Sequence, residues 1–213
     1  MNKSLSEQGF RMPAEWERQR SVWIIWPYNK NDWPGLFKFI PKTVSEIVSI
    51  VSKTQTVNLI IKTKKDIKLI RKELKQGNYK KNNVKFHVIA SDRIWIRDSG
   101  PIFLRNTKNK KKIFLNFKFN GWAKYKNYKK DDKINTFISN STKIKKIDPK
   151  IKIKNKIKRI VLEGGSIDVN GKGSILLTKE CLLSKVQERN PGIKKKQYED
   201  LLYKYLNVSN FIW

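Results

Sequence analysis

The sequence of 213 residues predicts a mixed α/β fold. Short apolar runs rich in Val and Ile indicate buried strands, and segments with apolar residues three or four positions apart indicate amphipathic helices. These elements recur in the order strand, helix, strand, with hairpin signals between them, which is typical of repeated α/β units. No low-complexity linker divides the chain, so we expect a single domain over residues 1–213.

The first repeat is predicted over residues 22–61. The run Val22–Trp26 is apolar throughout and indicates a buried strand. A helix over about residues 41–53 follows, with Pro41 near its start, where a missing amide donor costs little. Its apolar positions at helical spacing are Val44, Ile47, Val48 and Val51. The run Val57–Ile61 is rich in β-branched side chains and indicates a second buried strand.

A helix and another strand are predicted next. Thr63 and Asp66 have the spacing of a capping box, and the helix that they begin should end near Gly77. The apolar positions of this helix are Ile67, Ile70 and Leu74. In the segment Val84–Val88 apolar residues alternate with Lys85 and His87, which predicts a strand that turns Val84, Phe86 and Val88 inward.

The second half of the chain is patterned less evenly. Alternation over Ile113–Phe119 predicts a strand with one buried face, whereas residues 123–156 are Lys-rich and weakly patterned. The apolar run Ile160–Leu162 indicates that regular structure resumes after the Lys-rich segment, and Asn170-Gly171 indicates a hairpin turn. A helix carrying Tyr198, Leu201, Leu202 and Tyr205 and a strand over Val208–Trp213 complete the pattern.

The formal net charge of +30 raises the possibility of a nucleic-acid-binding module. Only nine of the 48 basic residues are arginine, so guanidinium groups that grip phosphates and base edges are scarce. Lys, Ile and Asn share codons rich in A and T, and their joint excess indicates an AT-rich genome. Nucleic-acid binding therefore stays the less favoured alternative.

The sequence predicts a cytoplasmic protein without membrane contact. No stretch approaches the roughly 20 apolar residues that cross a bilayer, and the first residues have no apolar core of a signal peptide. The one cysteine, Cys181, excludes an intrachain disulfide and a four-sulfur metal site.

Two short segments carry the candidate chemistry. In Asp92–Pro101 the carboxylate of Asp98 lies near Trp95, and a planar cationic guanidinium needs both a carboxylate and an aromatic contact. The spacing alone favours a simpler interpretation, in which Asp98 pairs with Arg97 or caps a turn. In the second segment Glu163 precedes Gly164 and Gly165, which fits either a backbone that approaches a ligand or a solvated turn.

Six motifs in order give the chain a specific resemblance. They are Met12–Glu17, Trp26-Pro27 with Asp32–Pro34, Trp95–Pro101, Phe119–Trp122, Leu162–Ser166 and Arg189–Pro191. In this order they resemble the agmatine deiminases, a family similar to the bacterial peptidylarginine deiminases within the guanidino-modifying enzymes. The resemblance implies a pentein-type α/β propeller of repeated strand-helix-strand units, which is expected to be incomplete in this chain.

The resemblance also implies a reaction and three site residues. Trp95 would line the substrate site, Asp98 would bind the guanidinium, and Glu163 would help to hold the catalytic histidine and the reacting group. A cysteine thiolate attacks the guanidinium carbon in such enzymes, ammonia leaves, and water hydrolyses the covalent intermediate. Agmatine thereby becomes N-carbamoylputrescine, and no metal or cofactor is implied.

The chain departs from the family in its nucleophile and proton carrier. The Gly-His-x-Asp motif and the Gly-rich segment with the catalytic cysteine are not found, so the chain is expected to be truncated on its C-terminal side. His87 is predicted to be an exposed or interlayer residue, and Cys181 lies in an apolar context that favours inert packing. Ala123 also stands where the family often has Gly.

Several alternatives and partners remain open on these grounds. An inactive or split-gene fragment and a peptidylarginine deiminase are the alternatives to an agmatine deiminase. The expected partners are a small guanidine substrate, agmatine, and either a second copy of the chain or a complementing C-terminal fragment.

Overall fold

A computed structural model describes residues 3–153 and 156–213 and divides the chain into two compact units. Unit 1 comprises the residues up to Glu17 together with Arg97–Trp213, and unit 2 comprises Arg18–Ile96. The single domain over residues 1–213 stays a prediction.

Strands and helices alternate along the described residues. The strands are β1 (Phe10–Arg11), β2 (Ser21–Ile25), β3 (Thr56–Ile61), β4 (Val84–Val88), β5 (Ile102–Asn106), β6 (Lys112–Leu115), β7 (Lys145–Ile147), β8 (Lys150–Ile153), β9 (Lys156–Arg159), β10 (Ile167–Val169), β11 (Ser174–Leu177) and β12 (Asn210–Ile212). The helices are α1 (Ile40–Ser52), α2 (Asp66–Gln76), α3 (Ile96–Ser99), α4 (Ile134–Thr142), α5 (Lys179–Leu182) and α6 (Lys195–Leu206). None of these helices is both long and apolar enough to cross a membrane.

Unit 2 is a parallel sheet of order β2-β3-β4 with helices α1 and α2. The central strand β3 is covered on both faces, so a continuous apolar run suits it better than alternation. Leu59 at its middle pairs in register with Ile24 on one side and Phe86 on the other. The predicted strands and helices of this unit are confirmed. The predicted capping box forms only in part, because the carboxylate of Asp66 accepts hydrogen bonds from the backbone and hydroxyl of Thr63, but α2 begins at Asp66 and no side chain among the described residues caps its first residues.

Strand β4 differs from its predicted orientation at one end. Val88 was expected to face inward, but it is 46% exposed. His87 instead lies half-buried, with Nε2 3.0 Å from Oδ1 of Asn58 and its ring 4.8 Å from that of Trp23. Burial lowers the pKa of His87, so the imidazole is a neutral packing group. This environment agrees with the predicted interlayer histidine.

Unit 1 contains a four-stranded sheet of order β1-β5-β6-β7, a three-stranded sheet of order β10-β11-β12 and the hairpin β8-β9. Its core packs β5, β6, β10 and β11 with helix α6, whose Tyr198, Leu202 and Leu206 are fully buried. The predicted hairpin is confirmed between β10 and β11, where Gly171 adopts a φ of +69°. The predicted final helix and strand are confirmed as α6 and β12.

Strand β6 corrects the predicted one-sided strand over Ile113–Phe119. It ends at Leu115, and Phe114 and Asn116 are buried as well as Ile113. The second face is covered by helix α4, since Asn135 donates a hydrogen bond of 2.9 Å from Nδ2 to Oδ1 of Asn116. Helix α4 lies in the Lys-rich segment 123–156, of which residues 154 and 155 lie outside the described residues.

Candidate active site

Asp98 lies in α3 and its carboxylate is held by two neutral donors. Trp122 donates from its indole Nε1 to Oδ2 at 3.1 Å, and Gly165 donates from its backbone N–H to Oδ1 at 3.1 Å. The neighbouring Arg97 binds the carboxylate of Glu15 instead. Asp98 is therefore held by hydrogen bonds to Trp122 and Gly165 and not by an ion pair to Arg97.

The indole of Trp122 is placed by an unusual loop. Gly121, Trp122 and Ala123 have φ values of +66°, +59° and +55°, a conformation that is costly for a residue with a Cβ atom. The backbone N–H of Ala123 donates to Oδ1 of Asn120 at 2.9 Å, and the ring of Phe119 packs edge-on against Trp122 at 5.0 Å. Strain of this kind is concentrated at functional sites.

The glycine pair brings Glu163 and Asp98 into the same part of unit 1. A Cβ atom on Gly164 would overlap the carbonyl oxygen of Arg97, and one on Gly165 would overlap Oδ1 of Asp98. The sequence allowed for a glycine backbone that approaches a ligand. In the structure the backbone of Gly164 and Gly165 packs closely against Arg97 and Asp98 instead.

Glu163 is a buried carboxylate with one committed and one uncommitted oxygen. Arg189 donates from Nε to Oε1 at 2.8 Å, and both side chains are almost completely buried. The second oxygen, Oε2, is buried and has no hydrogen-bond partner within the described residues. A buried carboxylate oxygen without a partner is costly, so this atom is available to a donor or a cation.

The segment 187–190 fastens this carboxylate to its surroundings. The side chain of Asn190 accepts a hydrogen bond from the backbone N–H of Val161 at 2.9 Å and donates to its carbonyl at 2.8 Å. Arg189 donates from Nη1 to the carbonyl of Gln187 at 2.7 Å, and Gln187 in turn donates to the carbonyl of Trp122 at 3.2 Å. Arg189, which binds Glu163, is therefore connected through Gln187 to Trp122, which binds Asp98.

Burial sets the electrostatics of both carboxylates. It raises the pKa of Asp98, while the donors Trp122 and Gly165 and the charge of Arg97 oppose the rise. Burial also raises the pKa of Glu163, where Arg189 opposes the rise and the charge of Asp98 adds to it. Two carboxylates that are desolvated and close to each other favour the approach of a cation.

Cys181 lies in α5 and packs partly buried against the core of unit 1. Burial raises the pKa of its thiol, Arg189 lowers it, and the carboxylates of Glu163 and Asp98 raise it further. A thiol in such surroundings stays protonated at neutral pH, whereas a nucleophilic cysteine needs its thiolate. These surroundings support the interpretation of Cys181 as a packing residue.

Trp95, the third predicted site residue, belongs to unit 2. Its ring lies 5.4 Å from that of Trp33, and 40% of the residue is exposed. The two loops that carry these rings are joined by Arg93, which donates to the buried Asp32 at 2.6 Å. An exposed indole on a fixed aromatic neighbour can contact an apolar chain or a cation. Asp98 and Glu163, by contrast, are brought together within unit 1.

Three further residues of the site were not predicted from the sequence. Trp122 binds Asp98, Arg189 binds Glu163, and Asn190 binds the backbone of Val161, two residues before Glu163. Two of the six motifs, Phe119–Trp122 and Arg189–Pro191, contain them. These motifs could therefore have indicated that the three residues belong to the site. The spacing of residues within each motif does not show what the side chains bind.

Known proteins are similar to this chain in sequence and in architecture. The model of the Porphyromonas-type peptidyl-arginine deiminase family matches residues 11–213. The agmatine deiminase of Pseudomonas aeruginosa is 30% identical over 210 residues, which are 96% of this chain and 52% of that protein.

Two solved structures agree with the fold. The agmatine deiminase of Enterococcus faecalis is 27% identical, has a TM-score of 0.82, and is matched over 100% of this chain and 55% of that chain. The C315S agmatine deiminase of C. jejuni with substrate bound is 29% identical, has a TM-score of 0.77, and is matched over 96% of this chain and 55% of that chain.

The match defines both the fold and its extent. These neighbours have the pentein fold, which confirms the predicted fold class over the part that the chain spans. The chain spans about half the length of the curated relatives that it matches. Because the family model covers the chain from Arg11 to Trp213, the chain belongs to the Porphyromonas-type peptidyl-arginine deiminase family.

Proposed function

We propose that the chain carries the guanidinium-recognition groups of an agmatine deiminase. Such an enzyme hydrolyses the guanidine of agmatine to N-carbamoylputrescine and ammonia. The observation that carries the proposal is the carboxylate of Asp98, which is desolvated, held by the neutral donors Trp122 and Gly165, and not paired with Arg97. A carboxylate held in this way has charge available for the planar, forked donors of a guanidinium.

Glu163 has a second role in this proposal. Its Oε1 is occupied by Arg189, which fixes the orientation of the carboxylate, while its Oε2 is available. We assign this oxygen to the proton carrier or to an N–H of the reacting guanidinium, as the family resemblance implies. Its burial away from water strengthens any charged hydrogen bond that forms there.

Trp95 is proposed to supply the aromatic contact to the substrate. It lies three residues before Asp98 in the sequence, and its exposed ring rests on Trp33. An indole face attracts a cation and also covers the apolar carbons of a butyl chain.

The chemical step needs a thiolate and a proton carrier. In the proposed reaction the thiolate adds to the guanidinium carbon, a protonated amine leaves as ammonia, and water then cleaves the carbon–sulfur bond. No residue of this chain is assigned either role, since burial raises the pKa of Cys181 and His87 is a neutral packing group in unit 2.

A peptidyl-arginine substrate is the second candidate, because the matching family model is described by that activity. A peptide needs an open cleft, whereas agmatine needs a site that also reads its free amine. Parallel titrations with agmatine and with a blocked arginine dipeptide separate the two. Tighter binding of the dipeptide would transfer the proposal to peptidyl-arginine.

Ligand binding by the purified chain tests the recognition role. The probe is the indole N–H resonance of Trp122, identified by its loss in Trp122→Phe. Agmatine should shift this resonance, whereas putrescine, which has an amine but no guanidine, should not. Asp98→Asn should abolish the shift, and Asp168→Asn, which removes an exposed carboxylate from the same unit, should retain it. Equal responses to agmatine and putrescine would contradict the proposal.

Ammonia release tests the assignment of the chemical step. The purified chain should release no ammonia from agmatine, because neither Cys181 nor His87 is assigned to the reaction. Sustained release that persists in Cys181→Ala would overturn this assignment. The proposal places the reaction in the cytoplasm and assigns the missing thiolate and proton carrier to a complementing C-terminal fragment. A second copy of the chain is the other proposed partner, in a homo-oligomer.

A further inference from the structure

Arg97 and Asp98 are adjacent in sequence, yet their side chains are engaged with different partners. Nη1 of Arg97 binds the carboxylate of Glu15, and both of these side chains are about half exposed. The carboxylate of Asp98 accepts hydrogen bonds from Trp122 and Gly165 instead. A cation and an anion on neighbouring residues have thus been separated rather than paired.

The two side chains nevertheless share one surface. The stem of Arg97 lies against the glycine pair, since a Cβ atom on Gly165 would be 3.8 Å from its Cγ, and one on Gly164 would be 3.7 Å from its Cδ. The carboxylate of Asp98 lies against Gly165 as well. Rotation about the side-chain bonds of Arg97 would therefore suffice to turn its guanidinium towards Asp98.

Such a rotation would compete directly with a substrate. The guanidinium of Arg97 has the same forked donors as the guanidinium of agmatine, and it is tethered to the next residue. A tethered competitor acts at a high effective concentration, and the apparent affinity for a free ligand falls by the fraction of sites that the competitor occupies. Asp98 can serve as a receptor only if Arg97 is held elsewhere.

Glu15 is well placed to hold Arg97 because its own backbone is fixed. The carboxylate of Glu17 accepts from the backbone N–H of Ala14 at 2.9 Å and from Arg11 at 2.5 Å and 2.9 Å. These bonds close the turn 14–17, whose first residue, Ala14, is buried. The hydrogen bond and charge of Arg11 lower the pKa of Glu17 to about 2, so this anchor stays ionised.

We propose that Glu15 is a positioning residue that binds Arg97 and thereby keeps Asp98 open to the guanidinium of the substrate. The proposal rests on the proposed function, because it gives Asp98 the role of guanidinium receptor. It assigns a role to the Met12–Glu17 motif. An exposed ion pair contributes little to folding stability. We therefore expect the main effect of Glu15 to be on the ability of Asp98 to bind a guanidinium.

The test combines Glu15→Gln, Arg97→Gln and the double variant. In each chain the pKa of the Asp98 carboxyl is measured by NMR titration of ¹³C-labelled aspartate, and the affinity for agmatine by isothermal titration. Loss of the Glu15 charge lowers the pKa of Asp98 through space in every background. In chains that contain Arg97, loss of Glu15 also frees Arg97 to pair with Asp98, and this pairing lowers the pKa of Asp98 further.

We expect Glu15→Gln to lower the pKa of Asp98 and to weaken agmatine binding by about two- to five-fold, the range of an exposed charge pair. In the Arg97→Gln background the same change should shift the pKa less and weaken agmatine binding less. Equal effects of Glu15→Gln in both backgrounds would overturn the proposal.

The outcome is separable from the proposed function. If the wild-type chain binds no agmatine, the recognition role of Asp98 fails, whereas the pKa measurements still decide whether Glu15 holds Arg97 away. If the wild-type chain binds agmatine but the pKa shift is independent of Arg97, the role of Glu15 alone fails. Asp168→Asn is the control for the loss of one negative charge in unit 1.

Discussion

Arg189 and Glu163 form a buried ion pair in which Nε donates to Oε1 at 2.8 Å. Neither side chain is more than 6% exposed, so the pair is desolvated and its partners depend on each other. Burial alone would penalise the ionised Glu163, and Arg189 is the group that opposes this penalty. The pair thus gives the buried carboxylate of Glu163 a counter-charge inside the fold.

Arg189→Met should destabilise the chain by about 3 to 5 kcal/mol, because it leaves the carboxylate of Glu163 buried without its cation. Urea unfolding followed by circular dichroism measures the change. The control is Lys196→Met, which breaks the exposed pair between Lys196 and Asp200 on α6 and should leave the stability unchanged. Similar stabilities of the two variants would contradict the buried character of the first pair.

Agmatine binding should weaken as the pH falls. In the proposed function a guanidinium binds the ionised carboxylate of Asp98, and burial raises the pKa of that group above its ordinary value of 3.8. Protonation therefore removes the receptor at a pH above 3.8, and affinity should decline as the pH falls through the raised pKa. Titrations of agmatine at a series of pH values determine the midpoint.

Trp122→Phe should move this midpoint to higher pH. The indole donor favours the ionised form of Asp98, so its removal raises the pKa of the carboxyl further. Trp16→Phe changes an indole that is 73% exposed and should leave the midpoint in place. A midpoint that moves to lower pH in Trp122→Phe would exclude the indole as the donor that stabilises the ionised carboxylate.

Gly165→Ala should weaken agmatine binding while the fold is retained. The new Cβ atom would overlap Oδ1 of Asp98, so the carboxylate must move and lose its bond from the backbone N–H. The loss of a hydrogen bond to a charged group corresponds to about a tenfold or larger loss of affinity. Isothermal titration with agmatine measures it.

Gly192→Ala is the matched control for this change. Gly192 has a φ of +85° and no atom within 4 Å of an added Cβ, so the variant should lose about 1 kcal/mol of stability and no affinity. Gly165→Ala should therefore lower the affinity for agmatine, whereas Gly192→Ala should lower only the folding stability. A full loss of affinity in Gly192→Ala would show that the binding assay reports unfolding.

The sequence pattern predicts unit 2 well for a physical reason. Its central strand β3 is covered on both faces and so appears as an almost unbroken apolar run. Helices α1 and α2 bury Val44 and Val48 and Ile70 and Leu74, respectively, at helical spacing, whereas Ile47, Ile50 and Leu69 are exposed. Helix α4 was not predicted, because only Ile134, Asn135 and Ile138 are buried among polar neighbours. That helix is held by contacts such as the bond between Asn135 and Asn116, which lie 19 residues apart.

The site shows the same division between local and distant information. Asp98 and Glu163 could be selected because the chemistry of each is visible in its own segment. The contact between Asp98 and Trp122 joins residues 24 positions apart and depends on a loop with positive φ angles. The spacing of residues within one segment cannot predict such a long-range contact. For the same reason the sequence did not predict that Arg97 binds Glu15 and not Asp98.

The conformation of Ala123 gives a physical reason for the glycine that the family often has at this position. Its φ of +55° costs an L-residue about 1 to 2 kcal/mol, whereas glycine adopts it freely. Glycine also costs about 0.4 to 1 kcal/mol through the greater freedom of the unfolded chain. The first cost exceeds the second, so Ala123→Gly should stabilise the chain by about 0.5 to 1 kcal/mol in urea unfolding.

Ala90→Gly is the control for Ala123→Gly and should have the opposite sign. Ala90 is exposed and has no positive φ, so glycine there contributes only the entropy of the unfolded chain and should destabilise. Because the loop of Ala123 carries Trp122, the indole resonance of Trp122 should keep its position and its response to agmatine in Ala123→Gly. A destabilised Ala123→Gly would mean that residue 123 does not adopt the left-handed conformation in solution.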